Sequence, residues 1–133
     1  MNHTNTTAHG PAHIAEQYLA AWNERDPAAR RAKVACAFTL DASYLDPMMR
    51  GDGHTGIDAM IGAAQGHFPG MRFVLDGTPD GYNDVVRFSW TLGLPGAEPV
   101  ARGTDVATVS DDGRLVKVTG FLDAAPGQQA GAQ

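Results

Sequence analysis

The spacing of the apolar residues changes half-way along this 133-residue chain. In the first half Ile14, Tyr18 and Trp22 recur at every fourth position, which is typical of a helix with one buried face. In the second half apolar and polar residues alternate, with Phe88 and Trp90 on one side, which predicts strands. Helices grouped before strands indicate an α+β domain, with the helices on one face of a curved, mostly antiparallel sheet.

Turn-forming residues divide the chain into further elements. Helices are predicted from about His13, from Pro27 with Asp26 as its N-cap, and from Thr55. The predicted strands cover residues 71–76, 84–94, 100–110 and 114–123, with turns at 77–81 and 111–113. Three helices therefore precede a meander of about four strands.

The composition bounds the type of protein. A content of 43% hydrophobic and 19% charged residues is that of a globular domain, which we place at residues 13–123 between flexible tails at 1–12 and 124–133. The net charge of −5 argues against a nucleic-acid partner. No stretch approaches the ~20 apolar residues of a membrane span, and the N-terminus lacks the apolar centre of a signal peptide. We therefore expect a cytoplasmic protein without membrane contact. The single cysteine, Cys36, is expected to be a small buried core residue.

Two aspartates depart from the simple pattern of buried apolar and exposed polar residues. Asp46 ends an extended run before Pro47, and alternation places it on the same face as Tyr44. A phenol and a carboxylate on one face suggest the wall of a pocket, although an Asp-Pro pair also commonly starts a turn. Asp105 shares its strand face with small and apolar residues. If that face is inward, desolvation raises the pKa of Asp105 towards neutrality; if it is outward, the residue is an ordinary surface charge.

Several short segments, in their order and spacing, resemble the NTF2-like superfamily and within it the SnoaL-like and ketosteroid-isomerase-like branch. The resemblance runs from about Ile14 to Asp123. The segments are YLAAWN at 18–23, YLDP at 44–47, FPG at 68–70, RFSW at 87–90, GTD at 103–105 and DGR at 112–114. The resemblance implies a cone in which a strongly curved sheet surrounds a ligand pocket. It also implies a homodimer through the outer sheet face, where we expect Val106, Leu115 and Phe121.

The resemblance also implies a set of site residues. In the isomerase branch a carboxylate base lies before an Asp-Pro turn, which here is Asp46. A tyrosine of the first helix and a protonated aspartic acid of a late strand stabilise the enolate oxygen, and these are Tyr18 and Asp105 here. The implied activity is proton transfer, without a cofactor or metal, on a small hydrophobic carbonyl compound, by an isomerase or a polyketide-cyclase-like enzyme. The residues expected to bind the substrate are Trp22, Tyr44, Met60, Phe88, Trp90 and Val118.

A non-catalytic protein that binds a hydrophobic ligand is the alternative, because one fold serves many functions. Convergence of Tyr18, Asp46 and Asp105 on one cavity would favour the enzyme. A pocket filled by aromatic side chains would favour binding. His54 is expected to be a solvated loop residue more often than a proton shuttle, and Arg87 is expected on the outer face of the sheet.

Overall fold

The computed structural model describes residues 10–124, which form three helices and six strands. The helices are α1 (Pro11–Asn23), α2 (Pro27–Ala37) and α3 (Gly53–His67). The strands are β1 (Phe38–Leu45), β2 (Arg50–Asp52), β3 (Arg72–Tyr82), β4 (Val85–Gly93), β5 (Ala101–Val109) and β6 (Leu115–Ala124). None of the described helices is long and apolar enough to cross a membrane.

The six strands form one sheet in the order β2-β1-β6-β5-β4-β3. Neighbouring strands are antiparallel, except that β1 runs parallel to β6. The sheet is curved and open, and the helices cover its inner face, so that residues of helices and strands share one core. The predicted α+β architecture is therefore confirmed.

The first two helices begin close to their predicted starts. The first helix begins at Pro11, two residues before the predicted start at His13, because proline at the first helical position already has the φ angle of a helix. The side chain of Asp26 accepts a hydrogen bond from the Ala29 N–H at 2.9 Å, as expected of the N-cap of α2. The other predicted tail residues, 1–9 and 125–133, lie outside the described residues.

The sequence failed to predict two features of the sheet. Residues 50–52 form β2, which is not among the predicted strands, and this strand pairs with β1, which begins at Phe38. The turn predicted at 77–81 lies inside β3, whose pairing with β4 shifts between Asp76 and Asp80. Gly77 has a positive φ of 83° at this irregularity. Glycine and proline occur both at β-bulges and in turns, so the sequence could not distinguish a bulge from a turn here.

Two predicted side-chain positions are wrong. Leu115, expected on the outer face, is only 1% exposed, because the pairing of β5 with β6 shifts between Thr108 and Val109 and turns Leu115 inward. Cys36 is exposed, because the buried positions of α2 are Val34 and Ala37 and Cys36 lies on the solvent side of the helix. The outer-face patch proposed for dimerisation therefore loses one of its three apolar residues.

Candidate active site

A cavity of about 50 Å³ lies between the helices and the inner face of the sheet. Its wall is mostly apolar, and it contains the side chains of Tyr18, Asp46 and Asp105, the three residues predicted to be catalytic. The exposed Met48 and the half-buried Met49 also line it, which places one end of the cavity near the surface. The aromatic residues of the wall are Tyr18, Trp22, Tyr44, Phe68, Phe73 and Trp90.

The first polar pair of the cavity joins α1 to β5. Tyr18 lies on the buried face of α1, and Asp105 lies on the inward face of β5 between Gly103 and Ala107. The Tyr18 hydroxyl donates a hydrogen bond to Asp105 Oδ2 at 2.7 Å. Each of the two residues is 1% exposed. The inward alternative for Asp105 is therefore correct.

Burial determines the protonation of this pair. Desolvation raises the pKa of Asp105 from its ordinary 3.8 to about 6, while the hydrogen bond from Tyr18 and the nearby Trp90 side chain oppose the rise and the charges of Asp46 and Asp123 add to it. Desolvation and then the negative charge of Asp105 raise the pKa of Tyr18. The shift of Asp105 has the predicted direction. At pH 7, however, a carboxyl with this pKa is mostly ionised, so it is better suited to accept a proton than to donate one.

The second polar pair lies on β1 and the turn that follows it. The Tyr44 hydroxyl donates to Asp46 Oδ2 at 2.6 Å, and the backbone N–H groups of Met48 and Met49 donate to Asp46 Oδ1 at 2.7 and 2.9 Å. Alternation along β1 does place Tyr44 and Asp46 on the inner side, with Leu45 exposed between them. Asp46 therefore both starts the turn and lines the pocket. A proton could reach its carboxylate only in competition with donors that already occupy both oxygens.

Gly120 on β6 allows the two pairs to approach each other. A Cβ atom at this position would lie 2.8 Å from Asp105 Oδ1, 3.1 Å from Asp46 Cβ and 3.2 Å from Tyr44 Oη. All three atoms thus surround the place where any larger residue would put its side chain. A glycine inside a strand is the sequence signal for such a close approach.

Two buried polar atoms of the cavity residues have no hydrogen-bond partner among the described residues. They are Nε1 of Trp22 and Oδ1 of Asp105, one a donor and the other, when Asp105 is ionised, an acceptor. Trp22 is 5% exposed, and its N–H group is not at the protein surface. Because most buried polar groups in folded proteins are paired, two orphans in the wall of one cavity call for an explanation by function.

Three of the six residues expected to bind substrate line the cavity, namely Trp22, Tyr44 and Trp90. Met60, Phe88 and Val118 are buried but belong to the core behind the wall. Phe88, for example, packs edge-on against Tyr18 with ring centroids 5.1 Å apart, and so supports the site without lining it. Alternation predicts which face of a strand is buried, but it gives no information on how far along the sheet the cavity extends.

His54 and Arg87 lie outside the cavity wall, and nine apolar residues of the wall were not predicted. His54 lies in the first turn of α3 and is half-buried, so it is not a loop residue. Its Nε2 atom is 2.9 Å from the Phe38 carbonyl oxygen. Arg87 is exposed on the outer face, as predicted, and pairs with Asp80 at 2.9 Å. The sequence analysis missed a second group of wall residues, which had no polar atom to single them out: Leu19, Met48, Met49, Ala64, Phe68, Phe73, Leu92, Ala101 and Leu122.

The family model of the SnoaL-like domain matches residues 15–118. The chain belongs to the SnoaL-like family. The resemblance inferred from the short segments is therefore confirmed over nearly all of the described residues.

Solved structures of other SnoaL-like proteins agree with this assignment. A proposed isomerase of the family from Agrobacterium tumefaciens is 51% identical, with a TM-score of 0.82 over 86% of this chain and 97% of that chain. A SnoaL-like protein of unknown function from Burkholderia thailandensis is 15% identical, with a TM-score of 0.67 over 93% and 99% of the two chains. A proposed polyketide cyclase from Sinorhizobium meliloti is 23% identical, with a TM-score of 0.59 over 80% and 92%. The last two show the fold alone. No curated protein matches the sequence significantly.

Proposed function

We propose that this SnoaL-like protein catalyses proton transfer on a small hydrophobic carbonyl compound without a cofactor, as an isomerase or a polyketide-cyclase-like enzyme. The main support is the Tyr18–Asp105 pair: a buried carboxylate with a pKa raised to about 6 and one oxygen without a partner, in an apolar cavity. A general base works best when its pKa lies near the pH at which the enzyme operates. The similarity to a proposed isomerase from A. tumefaciens also supports the proposal.

In the proposed reaction Asp105 Oδ1 takes a proton from the carbon beside the carbonyl group. The electron pair of that C–H bond moves into the carbonyl and forms an enolate. In an isomerase the proton returns to a different carbon. In a cyclase the enolate carbon attacks a second carbonyl of the same molecule, and the proton ends on the new hydroxyl. Tyr18 holds Asp105 Oδ2 throughout, so that Oδ1 keeps its orientation.

This assignment exchanges the roles first suggested for the two aspartates. Asp46 was the predicted base, but its oxygens already accept hydrogen bonds from Tyr44 and from two backbone N–H groups. Asp105 was predicted to donate a proton to the enolate oxygen, but its raised pKa still leaves it mostly ionised at pH 7. We therefore propose Asp105 as the base, with Asp46 positioning Tyr44.

The cavity restricts the size of the substrate. Its volume of about 50 Å³ is far below the ~300–1,000 Å³ of common ligand sites. A molecule of a few heavy atoms is therefore favoured over a steroid-sized one, unless side chains at the open end move. The methionine Met48, which is 64% exposed, and its neighbour Met49 are flexible residues that line the cavity.

A deuterium-exchange assay tests the proposal. Wild type, Asp105→Asn and Asp46→Asn are incubated in heavy water with a panel of β,γ-unsaturated and 1,3-dicarbonyl compounds, and exchange at the acidic carbon is followed by NMR. Ligand binding is measured in parallel by tryptophan fluorescence. Asp41→Asn is the matched control, because Asp41 is an exposed aspartate of β1. We expect Asp105→Asn to bind ligand without catalysing exchange.

The other outcomes separate the alternatives. If wild type binds members of the panel but exchanges none of them, the protein is a binding module, which the largely apolar wall would also suit. If Asp105→Asn exchanges as fast as wild type while Asp46→Asn is inactive, Asp46 is the base and our assignment is wrong.

A further inference from the structure

We propose that the indole N–H group of Trp22 binds the carbonyl oxygen of the substrate, and that the site therefore selects neutral, enolisable ketones over carboxylic acids. This inference rests on the proposed function, because it assigns the partner of the oxygen on which the enolate charge develops.

The two tyrosine hydroxyls of the described cavity wall already donate to carboxylates. The Tyr18 hydroxyl donates its only proton to Asp105, and the Tyr44 hydroxyl donates its only proton to Asp46. The Trp90 side chain is close enough to Asp105 to lower the pKa of that carboxyl. Trp22 Nε1 is a fully buried side-chain donor of the wall, and it has no partner among the described residues.

The free N–H group lies beside the proposed base. The Trp22 side chain approaches the Tyr18 hydroxyl and lowers the pKa of that phenol, but its N–H group lacks the geometry of a hydrogen bond to it; the same hydroxyl is 2.7 Å from Asp105 Oδ2. A free donor and the free acceptor Asp105 Oδ1 are thus both neighbours of one atom, Tyr18 Oη. An enolisable ketone has the complementary arrangement, since its acidic C–H group is next to its oxygen acceptor.

The position of Trp22 is fixed from both sides. Gln65 Nε2 on α3 donates to the carbonyl oxygens of Trp22 and Glu24 at 3.0 and 2.7 Å. Asn23 exchanges two hydrogen bonds with the backbone of Phe73 on β3, at 2.9 and 2.8 Å. The Phe73 ring also packs edge-on against the indole, with centroids 5.2 Å apart. A donor held in this way needs little reorganisation when charge develops on the substrate oxygen.

The charges of the wall select against anionic substrates. Asp46 and Asp105 both line the cavity, whereas no lysine, arginine or histidine does so among the described residues. A carboxylate placed beside ionised Asp105 would be repelled, and its charge would lack a partner in an apolar surrounding. A neutral ketone avoids this cost.

Methyl acetoacetate and acetoacetate form a matched pair of probes, because the ester is neutral and the acid is an anion. The chain contains two tryptophans, so nitrogen-15 labelling gives two indole N–H signals, which Trp90→Phe assigns. We expect saturating methyl acetoacetate to move the Trp22 signal downfield, and acetoacetate at the same concentration to leave it unchanged. Trp22→Phe should lower kcat for exchange of the ester by about a hundredfold, as loss of one such donor commonly does. Its KM should rise by no more than about tenfold, because the lost hydrogen bond to the neutral ketone is weak.

A fixed Trp22 signal with the ester demonstrably bound would overturn the inference, and so would unchanged kcat in Trp22→Phe. Failure of the ester to bind, or equal responses to both probes, would also overturn it. The wild-type titration does not depend on the folding of any variant at Trp22. If the Trp22 signal moves but wild type exchanges no deuterium, the proposed function is wrong and the binding role of Trp22 stands. If wild type exchanges deuterium but the Trp22 signal does not respond, the proposed function stands and the binding role of Trp22 is wrong.

Discussion

Replacing Tyr18 with phenylalanine should move the pH dependence of catalysis in a defined direction. The Tyr18 hydroxyl donates to Asp105 Oδ2 at 2.7 Å and lowers the pKa of that carboxyl, which burial raises to about 6. A hydrogen bond to a charged group is worth about 1.5–3 kcal/mol, and about 1.4 kcal/mol corresponds to one pKa unit. Tyr18→Phe should therefore raise the pKa of Asp105 by about 1–2 units.

The rate should follow the ionised fraction of Asp105. With a pKa of about 6, about 90% of the carboxyl is ionised at pH 7, and in Tyr18→Phe this fraction should fall to between about one half and one tenth. The assay is the pH profile of kcat/KM for deuterium exchange between pH 4 and 9. The rising acidic limb should move to higher pH in the variant, while the plateau is approached only above pH 8. Phe88, which packs on the same ring, provides the control Phe88→Leu, which disturbs packing without removing a hydrogen bond. An acidic limb at the same pH in wild type and Tyr18→Phe would refute the assignment of Asp105 as the titrating base.

Three other predictions follow from the same structure. The pKa of Asp105 is raised from 3.8 to about 6, so its carboxyl contributes stability below pH 4 that is lost as the pH rises through 6. Asp105→Asn should therefore stabilise the protein at pH 7 by at most about 3 kcal/mol and have little effect at pH 4. A gain in Tm that does not depend on pH would contradict this. Gly120→Ala should lower the free energy of unfolding by about 1–3 kcal/mol and slow deuterium exchange, since its Cβ would lie 2.8 Å from Asp105 Oδ1. Denaturant melts and exchange assays measure the two effects. The control Gly66→Ala, whose Cβ would have no atom within 4 Å, should show neither. We also propose a dimer through the outer sheet face, where Phe121 is 55% exposed; Phe121→Ser should weaken it in sedimentation experiments, and a wild-type monomer at all concentrations would exclude it.

Local patterns in the sequence predicted the elements and the faces that build the site. The fourth-residue spacing of Tyr18 and Trp22 put both on the buried face of α1, and the break before Pro47 put Asp46 at the end of a strand. Pairing between distant segments was not predictable in this way. β2 exists because residues 50–52 meet β1, and the shift between Thr108 and Val109 that buries Leu115 depends on how β5 meets β6. Neither event leaves a periodic signal, since both depend on the partner strand.

The roles of the polar groups depend on distances that periodicity does not determine. The sequence suggested that Tyr18 and Asp105 would each donate a hydrogen bond to the enolate oxygen. Because the Tyr18 proton already goes to Asp105, 87 residues away along the chain, it is not available to the substrate in this arrangement. An apolar spacing likewise predicted that Trp22 would be buried, but not that its N–H group would lack a partner. The roles of the donors in this cavity therefore depend on which acceptor each proton already serves. The Tyr18 proton serves Asp105, and for this reason we propose Trp22 as the donor for the substrate oxygen.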